Sequence, residues 1–245
     1  MAIAIDTTAN SGVLSNVSAA TINFNMGAVS NGILVLLSAV RDTASTTDGT
    51  ITSATYRGTA MTKVKEDIQT GSPLAEFSAI WYILNPSSGT GNLIANYSGA
   101  VNFVTTGGVS FSGVDQTTPF SGNAGGTGVA GTLNPETSSV GLNTGVANEY
   151  LVATTFNTTA NSTKPLTVGA GQTSIFALGP NSNGDSSAAS YKDAGAAGAK
   201  TMSYTWDGNG NGSQGWAMTI ASLIPAAAPA GAIFPTRRAL TGIGI

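Results

Sequence analysis

Short runs of β-branched and aromatic residues, each closed by Gly, Asn, Ser or Asp, follow one another along almost the whole chain. No amphipathic helical period of ten or more residues interrupts them. Brief strand signals separated by turn signals are the pattern of a β-sandwich or barrel. "GILVLLSAV" (Gly32–Val40) and "FSAIWYILNP" (Phe77–Pro86) are apolar on both faces, as central strands are, and Asn85-Pro86 stops the second. "ITSATYRGTAMTKVKED" (Ile51–Asp67) reads as a hairpin turning near Arg57–Gly58. In "KTMSYTWDG", Met202, Tyr204 and Trp206 share one face while Thr201, Ser203 and Thr205 share the other. That is a half-buried antiparallel strand with a hydroxylated outside. "DGNGNGSQ" is expected to join it to the last strand, "GWAMTIASLIP", as a hairpin. The Gly-rich "SGNAGGTGVAGTLNPETS" (Ser121–Ser138) reads as a long internal loop or an edge excursion. About twelve strands in one domain lead to an all-β fold, a two-sheet antiparallel jelly-roll sandwich with an extended C-terminal arm.

Composition narrows the setting. Hydrophobic residues are 41% of 245, enough for a core, while charged residues are only 9%, against roughly 25% in an average soluble protein. Ser, Thr and Asn must therefore carry the surface, as in extracellular, adhesive and virion β-proteins. The formal net charge is −3, with Arg237–Arg238 the only basic pair, so the acidic body repels phosphate backbones and nucleic-acid binding is not expected. The longest apolar runs, such as Ile33–Leu37, are too short to span a bilayer. The chain has neither cysteine nor histidine. That removes disulfides, thiolate sites, His metal ligands and Ser–His–Asp triads. "MAIAIDTTANSG" has no basic n-region or apolar h-region, so folding in a cytoplasm is expected.

Six pieces stand together in order: "YRGTAMT" (Tyr56–Thr62), "IWYILNPSSGTGN" (Ile80–Asn92), "VSFSGVDQTTPF" (Val109–Phe120), "VGAGQT" (Val168–Thr173), "MSYTW" (Met202–Trp206) and "WAMTIASLIP" (Trp216–Pro225). They resemble a jelly-roll β-sandwich domain of bacterial extracellular proteins and tailed-phage structural proteins, over roughly residues 10 to 225. "SGVDQTTP" is the most specific element. The resemblance implies a fold and a virion or surface setting, and it carries no catalytic constellation.

The remaining motifs favour structure over chemistry. Two facing carboxylates are what a glycosidase needs, yet Glu66–Asp67, after Lys63 and Lys65, read as a solvated strand end. No enzymatic activity and no cofactor are expected. "DGNGNG" (Asp207–Gly212) matches half of a calcium loop, but the closing twelfth position is Met218, so a plain turn is favoured and no metal is assigned. "NSNGDSS" (Asn181–Ser187) is a weaker match still. Trp81, Trp206, Trp216, Tyr82 and Tyr204 offer rings for sugar stacking, but their alternation with small polar residues points to the core, with all three tryptophans placed there. Gly113 permits a bend, and Asp115 is expected to accept N–H groups of the turn before Pro119.

The chain divides into a body (1–225), a Pro/Ala/Gly linker (226–232) and an arm (233–245). In "GAIFPTRRALTGIGI", Ile233, Phe234, Leu240, Ile243 and Ile245 supply apolar anchors, and Arg237 and Arg238 can pair with carboxylates. The arm has no core of its own to offset ordering entropy, so it is read as docking on a neighbouring subunit, by adding a strand to an exposed sheet edge. The role expected is a structural virion protein, foremost a capsid decoration (cement) protein of a tailed phage, made in the host cytoplasm. Its partners are then copies of itself, as trimers around a local three-fold, and the major capsid protein. The alternative is a glycan-binding adhesin or appendage module at an extracellular surface.

Overall fold

The computed structural model describes residues 1–42, 47–70, 74–130, 136–158, 166–179, 185–206 and 214–228, and they are all-β with no helix among them. Seventeen strands form: β1 (Ala4–Asn10), β2 (Val17–Met26), β3 (Ile33–Asp42), β4 (Ile51–Tyr56), β5 (Thr59–Ala60), β6 (Thr62–Gln69), β7 (Ala75–Leu84), β8 (Gly89–Val101), β9 (Phe103–Ser112), β10 (Phe120–Ala130), β11 (Glu136–Thr144), β12 (Tyr150–Thr158), β13 (Thr167–Val168), β14 (Thr173–Leu178), β15 (Asp185–Asp193), β16 (Gly198–Trp206) and β17 (Gln214–Leu223).

The strands make four antiparallel sheets in place of the two expected. Sheet I is β2-β8-β4-β5, sheet II is β1-β9-β3-β7-β6, sheet III is β10-β17-β12-β15-β14 and sheet IV is β11-β16-β13. Three apolar cores separate them. Phe24, Tyr56 and Leu93 meet Leu34, Phe77 and Trp81 between sheets I and II. Val35, Ile80 and Phe111 meet Val152, Phe156 and Leu223 between II and III. Leu151 and Ile220 meet Met202, Tyr204 and Trp206 between III and IV. The layers therefore stack I–II–III–IV. β3 is buried along its whole length because it faces a core on either side.

The strand order repeats. Reading β1, β9, β3, β7, β6 across sheet II and β10, β17, β12, β15, β14 across sheet III gives the same sequence of roles, and β2-β8-β4 matches β11-β16-β13. Register fixes the equivalence: Ile33 pairs with Leu84 and Phe111, and Tyr150 pairs with Asp193 and Leu223. The irregularities repeat as well. β1 and β10 shift register at Ile5/Thr7 and Phe120/Gly122, and β6 and β14 at Lys63/Lys65 and Ser174/Phe176. Asn31 and Asn148, at φ 50° and 62°, precede the two central strands in the left-handed region that Asn tolerates. At the same ends of the ladders, Asn85 donates to the Gly32 carbonyl and Ala194 to that of Glu149, at 2.9 and 2.8 Å.

Sheets II and III also meet reciprocally. β7 touches β12 as β15 touches β3; β6 touches β17 and β10 as β14 touches β9 and β1; β3 and β12 touch each other. Such reciprocity is that of an isologous interface, here within one chain. Where the halves join, Val114 bridges Pro225, and Ala226 donates to the Gly113 carbonyl at 2.7 Å. Gly113 bends there at φ 72°, where a Cβ would lie 2.3 Å from the Ala2 carbonyl oxygen. Asp115 Oδ1 accepts the Thr117 and Thr118 N–H groups, each at 2.8 Å, as the sequence leads one to expect.

Pairing settles three sequence readings. Of the two readings of the Gly-rich stretch from Ser121, the edge one holds, since Phe120–Ala130 is the edge strand β10. Its glycines leave room for other side chains: a Cβ on Gly128 would sit 2.6 Å from the Trp216 indole nitrogen, and one on Gly125 would overlap the Asp67 carboxylate. β16 and β17 are not a hairpin, since they lie in different sheets. The Arg57–Gly58 turn joins β4 only to the two-residue β5, after which β6 crosses to sheet II. The linker from Pro229 and the arm lie outside the described residues.

Candidate functional site

Strand parity assembles a concentrated polar cluster in the II–III gap. On β3 the residues facing this gap are Ile33, Val35, Leu37, Ala39 and then Arg41; on β7, counting back from Leu84, the same face ends at Glu76. On β12 and β15 the equivalent positions are Thr158 and Asp185. One end of the gap is thus apolar, around Phe111, Tyr150 and Tyr191, whose rings meet edge to face. The other end gathers Arg41, Glu76, Thr158 and Asp185.

All four are buried: Arg41 is 7% exposed, Glu76 0%, Thr158 8% and Asp185 3%. They pair crosswise between the sheets. Arg41 Nη1 donates to Asp185 Oδ2 in an ion pair, and its guanidinium lies 5.3 Å from the centre of the Phe103 ring. Thr158 Oγ1 donates to Glu76 Oε1 at 2.7 Å. Equivalent positions therefore do unequal work: Asp185 has a full counter-ion, whereas Glu76 has a hydroxyl. Burial pushes the Glu76 carboxyl up to about 7; the Thr158 bond and Arg41 oppose that rise, and Asp185 adds to it.

The cluster continues along the gap through hydroxyls. Ser78 Oγ donates to the Thr154 carbonyl at 2.8 Å, Thr219 Oγ1 donates to Asp67 Oδ2 at 2.9 Å, and Ser187 Oγ donates to Thr105 Oγ1 at 2.9 Å. Glu66 and Asp67 are accordingly not a solvated strand end. Glu66 takes the Ile51 N–H at 3.0 Å and Lys63 at 2.7 Å, and Asp67 takes Lys65 at 3.0 Å. A void of about 10 Å³ beside Asp185, lined by Phe103, Phe156, Leu178 and Ser187 among others, has room for one water.

Each outer gap holds a buried tyrosine hydroxyl. Tyr97 shares hydrogen bonds with Ser38 at 3.0 Å and Thr106 at 2.8 Å, and burial pushes it up to about 12. Tyr204 donates to the Ala153 carbonyl at 2.9 Å and shares a bond with Ser190 at 2.8 Å. Its hydroxyl is raised further, again by burial. The outer faces are neutral: Thr21, Asn23, Asn25, Thr90, Asn92 and Asn96 on sheet I, and Thr137, Ser139, Asn143, Thr201, Ser203 and Thr205 on sheet IV.

Of the sequence candidates, Trp81 and Trp206 are buried and Tyr204 is in the core, while Trp216 and Tyr82 are half-buried. Core placement thus holds for two of the three tryptophans, and Trp216 covers the glycines of β10. Asp185, in the weak calcium match at 181–187, starts a strand and holds Arg41. The match at Asp207–Gly212 lies outside the described residues, and so do Ile233, Phe234, Arg237, Arg238, Leu240, Ile243 and Ile245. Among the described residues no three acidic side chains converge as a metal site, and no helix is long and apolar enough to cross a membrane. Sequence reading missed the quartet. Its signal was present: a charge closing each of two apolar, two-faced runs at the parity that faces inward. In comparison with known proteins, no family model matches the chain, and neither does any curated protein or solved structure.

Proposed function

We propose that the chain is a structural virion protein, foremost a capsid decoration protein of a tailed phage. It associates with copies of itself and with the major capsid protein through the arm residues Ile233, Phe234, Arg237, Arg238, Leu240, Ile243 and Ile245. The observation that carries this reading is the character of the two outermost faces. Both ends of the stack present threonine, serine and asparagine rows on the exposed sides of sheets I and IV. Neutral hydroxyl and amide surfaces on a thick, fully packed body suit a shell component that sits against neighbours without strong fields. The jelly-roll resemblance of "SGVDQTTP" points to the same setting.

Electron microscopy of the source particle tests it: the chain is expected at fixed copy number on the capsid lattice, and absence from virions refutes the reading. Deleting 229–245 should then abolish attachment while the body keeps its melting temperature. A glycan-binding surface module is the second reading, favoured by the same amide and hydroxyl rows. Glycan-array binding by a protein missing from particles would select it.

A further inference from the structure

We propose that Arg41, Glu76, Thr158 and Asp185 form a pH-sensitive latch between the two halves of the chain, closed while Glu76 is protonated and loosened once it is ionised. The geometry carries the idea. Sheets II and III meet through one reciprocal interface, and the quartet is its polar end, contributed by β3, β7, β12 and β15. Glu76 Oε1 accepts from Thr158, but Oε2 is buried without a hydrogen-bond partner and lies against the Gly215 backbone, where a Cβ would come within 2.2 Å. Burying an unpaired oxygen costs far more when the carboxylate is ionised than when the acid is neutral.

Among the described residues, the groups facing Glu76 do not cancel its charge. β3 brings Arg41, already engaged with Asp185 of β15; β12 brings Thr158 and β17 brings Gly215, neither of which titrates. Further along the gap, Lys65 and Asp67 of β6 are tied to each other, and Asp67 also takes the Thr219 hydroxyl. Asp42 lies on the opposite parity of β3, toward sheet I. With Glu76 ionised, the quartet holds two carboxylates against one guanidinium, all of them buried. The carboxyl titrates near neutrality, so ordinary changes of pH operate the latch.

Hydrogen exchange of the full chain, corrected for intrinsic rates, tests the latch at about pH 5.5 and about pH 8.5. Amides of β7, β12 and β17 should lose roughly tenfold or more of their protection at the higher pH, since each unit of pKa shift is a factor of ten. Glu76→Gln should flatten that dependence. Thr158→Val removes the donor that favours the ionised form, so the midpoint should move to higher pH. Carboxyl-carbon NMR of the unaltered protein gives an independent reading, with Glu76 expected to titrate near neutral pH. A Glu76 titrating in the ordinary carboxylate range overturns the proposal. So does a Glu76→Gln variant with the unaltered protein's pH slope.

Discussion

The first and second halves of the chain solve one local problem with different residues. In the first, the β-bulge of β1 carries Asp6, whose Oδ2 takes the Gly27 N–H and the Ser110 hydroxyl, each at 2.8 Å. In the second, the equivalent bulge residue is Ser121, and the carboxylate comes from Glu149, at the position of Gly32. Glu149 Oε1 takes the Gly145 and Val146 N–H groups at 2.7 Å, its Oε2 takes Ser121, and Ser121 reaches Ser222 at 2.7 Å. Gly27 matches Gly145, and Ser110 matches Ser222. In both halves a carboxylate accepts the backbone N–H groups at this corner, but it comes from a different place in the chain. Strand order and bulges repeat; side-chain chemistry does not.

Emptying the shared core at equivalent places should have the largest effect. Phe111→Ala should cost about 4 kcal/mol and Leu223→Ala about 3, the range for large buried side chains cut to alanine. Urea unfolding followed by fluorescence and by circular dichroism should give coincident curves for both variants. Separate transitions, each variant shifting only its own half, would show that the halves fold independently.

Next in size is the pH effect at Glu76. Its folded carboxyl sits at about 7 against an ordinary 4.5, so the folded state holds a proton that the unfolded state releases. Stability from this group is full below the lower value, falls through the window between the two, and is flat above it. The total loss is about 3 kcal/mol at 1.36 kcal/mol per unit. Melting temperatures of the unaltered protein and of Glu76→Gln across that window measure the difference.

Smaller effects sharpen the contrast at the bulges. Glu149→Gln weakens three bonds to a fully buried carboxylate and should cost about 2 kcal/mol, whereas Asp6→Asn, half-buried with two, should cost about 1. Equal values from chemical denaturation would mean that burial does not separate the two corners. The smallest change is expected at Asp115, on the exposed turn between halves. Hydrogen bonds from Thr118 and Thr117 hold its carboxyl below the ordinary value. Asp115→Ala should lower the melting temperature slightly at neutral pH, and the gap should close as acid protonates the unaltered carboxyl.

Much of this was legible residue by residue. Met202, Tyr204 and Trp206 are buried on the face their alternation assigns, and Asp115 caps its turn. The number of sheets was not, because period-two patterning reports a strand's two faces and not its neighbours. Yet Gly32–Val40 and Phe77–Pro86, apolar on both faces, already spoke against a two-sheet sandwich, which leaves one face of every sheet wet. The repeat was hidden by unequal loops: equivalent residues are 117 apart at Ile33 and Tyr150 but 109 apart at Leu84 and Asp193. The Arg41–Asp185 pair spans 144 residues, and no local signal joins them. β10 was unreadable because the side chains filling its glycine positions come from Asp67 and Trp216.

The absence of cysteine makes the four-layer stack directly measurable. Ala153 and Thr154 are both fully buried although they face opposite sides of β12, because sheet III has a core on each side. Single cysteines at 153 and at 154 should both resist a thiol reagent under native conditions, while one at exposed Thr201 on the outside of sheet IV reacts at once. If either cysteine on β12 reacts as fast as the one at 201, sheet III has a wet face and the stack is wrong.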